Sequence, residues 1–324
     1  MMNAKRTPAG LIDRLPGVRG ALTANAPVSR FTWFKVGGPA EVMFEPADVD
    51  DLAQFLAAKP ADVPVTVIGV ASNVIVRDGG IPGVVVRLGR GFTKIEVFGR
   101  EITVGAAAHD LTVARRARDA GIAGFEFLSG IPGSIGGALA MNAGAYGREI
   151  KDIVAGAEAV DGQGRLHRLA PADLGLSYRA SAVPADWIFV AARLKGEPDD
   201  KNTIQRRMDE IQREREGTQP VRTPTGGSTF RNPEGKKAWA LIDEAACRGL
   251  RRGGAQVSNL HCNFLINTGG ATAADLEGLG EEVRRRVKEA TGVTLEWEIR
   301  RLGVPARPAA RGVPKPSRAP EDAP

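Results

Sequence analysis

Two glycine-rich segments are the places in this 324-residue sequence where the backbone itself could do chemistry. The first is Gly69-Val70-Ala71-Ser72-Asn73. The second runs Gly130-Ile131-Pro132-Gly133-Ser134-Ile135-Gly136-Gly137 and continues through Asn142 to Gly147. Stretches without bulky Cβ groups let successive N–H groups turn toward one point and form an anion-binding nest. The hydroxyls of Ser72 and Ser134 and the amides of Asn73 and Asn142 are further donors for phosphate oxygens. Neither segment is a P-loop, because no Gly-Lys-Ser/Thr follows, and neither has the G-x-G-x-x-G spacing of a dinucleotide fingerprint. One such loop alone reads first as a set of tight turns. Two of them, each carrying Ser or Asn, point to a bound diphosphate.

Metal and nucleophile chemistry find little support. His109, His167 and His261 are scattered, no Cys or His pair has zinc spacing, and there is no G-x-S-x-G elbow. Cys262 follows His261, but neighbouring residues of a strand point to opposite faces, so a simple Cys–His dyad is not expected. No metal is expected.

The elements that must hold the loops follow an α+β pattern. Asp48 is placed to cap a helix through 50–58. The run 64–69 reads as a buried strand leading into the first loop, and 83–88, 93–99 and 101–106 as further strands, the last two turning at Gly99. A helix is expected over 109–120, stopped by Gly121, then strands at 153–160, 165–169 and 187–194 with a turn at Asp161-Gly162. A shift in composition near 196–204 precedes a charged helix over 203–216, which places a domain boundary after residue 199. Beyond it come a helix at 237–246, a strand at 263–267, a long helix over 271–290 and a final strand over 294–302. Glu296 and Glu298 would share one face of that strand, so spacing does not choose between them.

The net charge of +6 belongs to the ends. Residues 1–30 carry five Lys/Arg against one Asp, residues 304–324 carry four Lys/Arg against two acids, and 31–303 sum to zero. A nucleic-acid binder would carry its basic stripe on the folded body, so no nucleic-acid partner is expected. The last 21 residues hold six prolines and no aromatic residue, the composition of a disordered tail. No apolar run approaches the ~18 residues of a membrane span, and no secretory signal opens the chain. With two cysteines, no disulfide framework exists, and a cytoplasmic setting is expected.

Six blocks in order carry a resemblance. They are Thr32-Trp33-Phe34-Lys35-Val36-Gly37-Gly38-Pro39-Ala40, the first loop with Ser72-Asn73, the second loop through Gly147, Tyr178-Arg179-x-Ser181, Gly227-Ser228-x-Phe230-x-Asn232-Pro233, and Leu295-Glu296-x-Glu298-Ile299-Arg300. Over about residues 30–303 the chain resembles the UDP-N-acetylenolpyruvoylglucosamine reductase family, also called the UDP-N-acetylmuramate dehydrogenases. The resemblance implies a two-subdomain FAD-binding fold of the vanillyl-alcohol-oxidase type over 31–199, with residues 1–30 as a basic extension. A smaller α+β substrate-binding domain would follow over 200–303, and a disordered tail over 304–324.

It also implies non-covalent FAD, since residues 64–82 hold no His or Cys for a tether, with NADPH as co-substrate and a UDP-sugar as substrate. Gly69, Ala71, Ser72, Asn73, Pro132, Gly133, Ser134, Gly136, Gly137 and Asn142 would bind the flavin. Tyr178, Asn232 and Arg300 would bind substrate. Arg179 would stabilise the enolate and carboxylate, a task suited to a charged bidentate guanidinium. Glu298 would position the carboxyl end, and Ser228 would deliver a proton to C2. Only 48 residues separate Arg179 from Ser228, which matches the shorter subtype without a tyrosine-lid insertion. A monomer is expected. The competing readings are another FAD-dependent oxidase or dehydrogenase of the same superfamily, and a non-catalytic nucleotide-binding module.

Overall fold

A computed structural model describes residues 10–307 of the chain. The first layer contains β1 (Ala21–Ala26), β2 (Ala40–Glu45), helix α1 (Val49–Ala58), β3 (Val65–Ile68), β4 (Val74–Val76) and β5 (Ile81–Arg87). Four of these strands form a sheet in the order β1-β2-β5-β3, with β1 antiparallel to β2 and the rest parallel. α1 starts where it should: the Asp48 carboxylate accepts the Asp51 N–H at 3.0 Å. Its buried Leu52 and Phe55 pack on Phe44, Val84 and Val86 of the sheet.

The second layer follows with β6 (Ile95–Phe98), β7 (Glu101–Gly105), α2 (Asp110–Asp119), α3 (Ile135–Ala140), β8 (Val154–Val160), β9 (Leu166–Leu169), β10 (Ile188–Lys195) and α4 (Lys201–Thr218). Its five strands are antiparallel in the order β9-β8-β10-β7-β6. The third layer has β11 (Thr225–Ser228), α5 (Ala238–Glu244), β12 (Arg251–Arg252), β13 (Ala255–Val257), β14 (Phe264–Asn267), α6 (Ala273–Thr291) and β15 (Arg300–Leu302). Here β11-β14-β13-β12 form a sheet whose core is shared with Leu241, Leu276 and Val283 of the two helices.

The third layer is bolted to the first. β15 pairs in parallel with β4, matching Arg300 to Val74 and Leu302 to Val76. The Asp78 carboxylate accepts the N–H groups of Ala273 and Ala274 at 2.9 and 3.0 Å, capping α6, and Arg77 pairs with Glu277 at 3.0 Å. The N–H groups of Gly79 and Val304 close the seam by donating to the carbonyls of Val304 and Gly80.

Several expectations need correction. Residues 10–30 are not an extension: β1 is an edge strand of the first sheet, and Leu11, Leu15 and Val18 pack on its core. Arg19 pairs with Asp48 and Arg14 with Asp62, so local acids neutralise part of the basic charge. The domain boundary is not at residue 199, because Ile204 and Met208 of α4 belong to the core of the second layer. α4 carries few apolar anchors, so its charged composition suggested a boundary in front of it. β3 is an edge strand rather than a buried one, with Ile68 buried and Val67 39% exposed. The final strand shrinks to three residues because the N–H groups of Glu298 and Ile299 both turn to one acceptor, the Thr229 carbonyl. Hydrogen bonding extends to Val304, and the rest of the expected tail from residue 308 lies outside the described residues.

Asp51 shows how tightly residues 19–20 are held. Its buried carboxylate accepts the N–H groups of Arg19, Gly20 and Ala47 at 2.8 to 2.9 Å. Burial alone would raise its pKa, but these donors and the Arg19 charge outweigh burial and hold it below the usual aspartate value. Asp51→Ala strands three N–H groups and should cost about 1–3 kcal/mol in urea unfolding at pH 7. The stabilisation is present above the ordinary aspartate pKa and fades as pH falls through the lowered folded value. Equal stability of the two proteins at pH 7 would show that residues 19–20 are not anchored there.

Candidate active site

The first glycine loop leaves β3 and enters β4. Ala71 turns it with φ +52°, and the Ala71 carbonyl accepts the Trp33 N–H at 3.2 Å. The second loop runs from a 3-10 turn over Glu126–Gly130 into α3. The N–H groups of Asp110, Ile135 and Gly136 pin it by donating to the carbonyls of Gly133, Ala108 and Ala106. A Cβ on Gly136 would come within 3.1 Å of the Ala106 Cβ, so a side chain there would need its neighbour to shift by a few tenths of an ångström.

What the loops leave free is informative. The N–H groups of Val70, Ala71, Ser72, Asn73, Gly133, Ser134 and Gly137 make no hydrogen bond among the described residues. The two loops abut, because a Cβ on Gly69 would lie 2.8 Å from Ser134 Oγ. Beside them opens a cavity of about 250 Å³ lined by Trp33, His109, Ser129, Pro132, Gly133 and Arg215. Two bare runs of donors that touch make a cradle suited to a diphosphate.

The asparagines do other work. Asn142 is buried and saturated: its Nδ2 donates to Glu149 Oε2 and the Ser177 carbonyl, and its Oδ1 accepts the Lys151 N–H. It shapes the turns around the loop and has no free donor for a ligand, which corrects the expectation of a direct contact. Asn73 Nδ2 donates to the Glu298 carbonyl at 3.2 Å, and the Asn73 carbonyl accepts the Arg300 N–H at 3.0 Å. Only its backbone N–H faces the cradle's task.

Arg179 sits at the tip of a tight turn closed by reciprocal hydrogen bonds between Ser177 and Ala180. Its φ is +55°, a left-handed conformation rare for a residue with a side chain. The guanidinium donates from Nε to Glu298 Oε1 at 2.8 Å and from Nη2 to the Gly144 carbonyl at 3.0 Å. It also lies 5.0 Å above the centre of the Tyr178 ring. Burial pushes the Glu298 carboxyl up, and the charges of Arg179 and Arg231 pull it partly back. Glu296 is exposed, so the structure separates the two glutamates that spacing could not.

Tyr178 Oη accepts the Asn232 N–H at 3.3 Å, and Asn232 Oδ1 accepts the Ala238 N–H at the start of α5. Ser228 ends β11 opposite Phe264, and its hydroxyl makes no hydrogen bond among the described residues. The next carbonyl, that of Thr229, holds the Glu298 N–H at 2.8 Å, so one hydrogen bond links the serine segment to the glutamate. Arg300 is exposed and makes no ion pair among the described residues; only its backbone is tied to the site.

Two residues escaped the sequence reading. Arg231, the one charged residue between Gly227 and Pro233, donates from Nη2 to the Arg179 carbonyl at 3.3 Å. Asp110 is fully buried against Gly133 with both carboxyl oxygens unpartnered, and burial pushes its pKa well up. An Asp in the first turn of a helix carries no sequence sign of such burial. The Cys262 thiol donates to the Trp239 carbonyl and His261 packs on Phe264, so neither faces the other as a dyad.

Comparison with known proteins agrees with this geometry. A family model described as FAD binding domain matches residues 40–170, and one described as UDP-N-acetylenolpyruvoylglucosamine reductase, C-terminal domain, matches residues 219–302. The chain is 64% identical to the UDP-N-acetylenolpyruvoylglucosamine reductase of Parvibaculum lavamentivorans, over 94% of this chain and 98% of that one. It is 61% identical to that of Rhodospirillum rubrum, over 94% and 97%. The crystal structure of the Thermus caldophilus reductase superposes with a TM-score of 0.76 at 35% identity, over 88% of this chain and all of that one.

The two glycines of the second loop should behave differently on substitution. A Cβ on Gly133 would overlap the buried Asp110 carboxyl, whereas one on Gly137 has only Ser134 Oγ near, at 3.9 Å. Gly133→Val should lower the thermal unfolding midpoint by several degrees. Gly137→Val should fold normally yet retain little FAD, measured as acid-released absorbance. Full flavin content in Gly137→Val would mean the cradle lies elsewhere.

Proposed function

This chain belongs to the UDP-N-acetylenolpyruvoylglucosamine reductase family, and from that premise we propose that Arg179, Ser228 and Glu298 carry its reaction. The activity is NADPH-dependent reduction of the enolpyruvyl ether of UDP-N-acetylglucosamine enolpyruvate to UDP-N-acetylmuramate, a step in making peptidoglycan precursors, with FAD as cofactor. The loops fit that cofactor: free N–H groups of Val70 to Asn73, Gly133, Ser134 and Gly137 would hold its diphosphate. Bound there, FAD supplies the hydride chemistry between NADPH and C3 of the enolpyruvyl group.

The chain's own residues manage the charge that this creates. Negative charge grows at C2 and spreads onto the neighbouring carboxylate. Arg179 meets it with a guanidinium whose Nε and one Nη2 hydrogen are already fixed by Glu298 and Gly144. Three N–H donors remain for the carboxylate, already oriented, so no rearrangement is needed as charge develops. Glu298 holds that orientation. The pair is largely buried, with side chains 17% and 11% exposed, which strengthens electrostatic effects relative to water. Ser228 then donates its proton to C2 and completes the saturated ether.

The observation that carries this reading is the 2.8 Å Arg179–Glu298 contact, made across 119 residues and set against the segment that bears Ser228. Tyr178 and Asn232, joined to each other beside Arg179, would receive the sugar end of the substrate. Arg300 would meet it from the neighbouring strand. We place the enzyme in the cytoplasm as a monomer acting on a free UDP-sugar. Both cysteines are buried free thiols, no helix among the described residues is long and apolar enough to cross a membrane, and one chain supplies all three reacting groups.

Ser228→Ala separates the steps. The variant should bind FAD and be reduced by NADPH at a near-normal rate in stopped flow. Reoxidation by the enolpyruvyl sugar should slow by ~10²-fold or more, the scale of a lost general acid. Equal slowing of both half-reactions would make Ser228 a flavin-positioning residue, and slowing of neither would reassign the acid.

A further inference from the structure

Arg179 does its work from a backbone conformation that a side-chain-bearing residue avoids, so something must hold it there. Its guanidinium is held by Glu298 and Gly144, and the Ser177–Ala180 hydrogen bonds close the backbone of the turn. Arg231 adds a side-chain contact on that turn, its Nη2 donating to the Arg179 carbonyl at 3.3 Å. Arg231 is itself anchored, because its backbone N–H donates to the Glu296 carbonyl at 2.9 Å. Its Nε is buried and finds no acceptor among the described residues, an arrangement that costs stability.

The charges add a second observation. Glu298 is faced by two cations, Arg179 from the 177–180 turn and Arg231 from the segment after β11. Asn73 of the first loop touches only its carbonyl, Tyr178 lies against Arg179, and Arg300 is exposed. Two guanidiniums and one carboxylate leave this half-buried cluster with one positive charge in excess. The enolpyruvyl group of the substrate brings one carboxylate, which balances it.

We propose that Arg231 is a positioning residue for the reduction: it clamps the Arg179 turn through its carbonyl and sets a second guanidinium beside the Arg179–Glu298 pair. The assignment rests on the functional reading above for its substrate, but the clamp and the charge are properties of the chain alone. Arginine suits both tasks, since its planar fork hydrogen-bonds the carbonyl while its delocalised charge stays close to the carboxylate. A lysine would keep the charge and lose the fork, and a glutamine would keep a donor and lose the charge.

Arg231→Gln and Arg231→Lys test this together. The Glu298 carboxyl would be titrated by carbon-13 NMR in the flavin-loaded protein, with Glu298→Gln identifying its signal. Burial raises Glu298 and neighbouring cations lower it, so removing one cation in Arg231→Gln should move its titration upward. In Arg231→Lys it should stay near the wild-type value. Flavin reduction by NADPH should be unchanged in both. Reoxidation by the enolpyruvyl sugar should slow by about tenfold in Arg231→Gln, with its acid limb displaced upward in step with the titration. Arg231→Lys should keep the wild-type limb and recover part of the rate.

A Glu298 titration that does not move in Arg231→Gln overturns the proposal. So does a rate lost equally at every pH, which is what a merely structural residue would give. Wild-type protein that takes electrons from NADPH but never passes them to the enolpyruvyl sugar would instead overturn the functional reading, and the titration would still decide the role of Arg231.

Discussion

The site depends on a three-residue parallel pairing between β4 and β15, extended by the side chain of Asn73. β4 leaves the first glycine loop, and β15 follows directly from Glu298. Across that seam Asn73 accepts the Arg300 N–H and donates to the Glu298 carbonyl, a contact between residues 225 apart in sequence. The first glycine loop and the carboxylate paired with Arg179 are therefore parts of one hydrogen-bonded unit. Separate domains joined only by a linker would leave a nucleotide site and a substrate site drifting by ångströms, and catalytic geometry does not tolerate such drift.

Around that seam the structure stores cost in a few places. Arg179 in the left-handed region is worth about 1–3 kcal/mol of backbone strain, and a buried ion pair is weak evidence of added stability. Neither feature makes sense as scaffolding. Both make sense as fixed orientation, because a guanidinium held on two sides presents its remaining donors without rearranging. Asp110 belongs to the same account. A carboxyl sealed behind the second loop, without partners, occupies the space that a side chain at Gly133 would need, and it ties the choice of glycine there to the core behind it.

Local physics made much of this legible. Asp48 announces a helix start because a side-chain acceptor must satisfy the first N–H groups, and the cap forms. The glycine loops were legible because bare backbone has few uses. What stayed hidden depends on partners distant in sequence. β1 looked like a basic appendage because its pairing with β2 leaves no local trace. α4 read as a charged helix beyond a domain boundary because Ile204 and Met208 are its only buried residues. The break before β15 was invisible, since it arises when one Thr229 carbonyl takes two N–H groups. Arg231 stood inside a recognised block, yet a cation between two motif residues reads as solvated surface until its acceptor is known.

The seam also sets an order of events during synthesis. β4 is complete by residue 76, but the strand that pairs with it is the last in the described chain, ending at Leu302. Polypeptides emerge at about 5–20 residues per second, so an edge beside the first glycine loop stays open for roughly ten seconds or more while the intervening layers form. The same short stretch, Arg77 to Gly80, then receives both the start of α6 and the segment after β15. Loss of even the last few strand residues would therefore act far from the terminus, leaving β4 beside the first glycine loop unpaired and the Asn73 carbonyl without the Arg300 N–H.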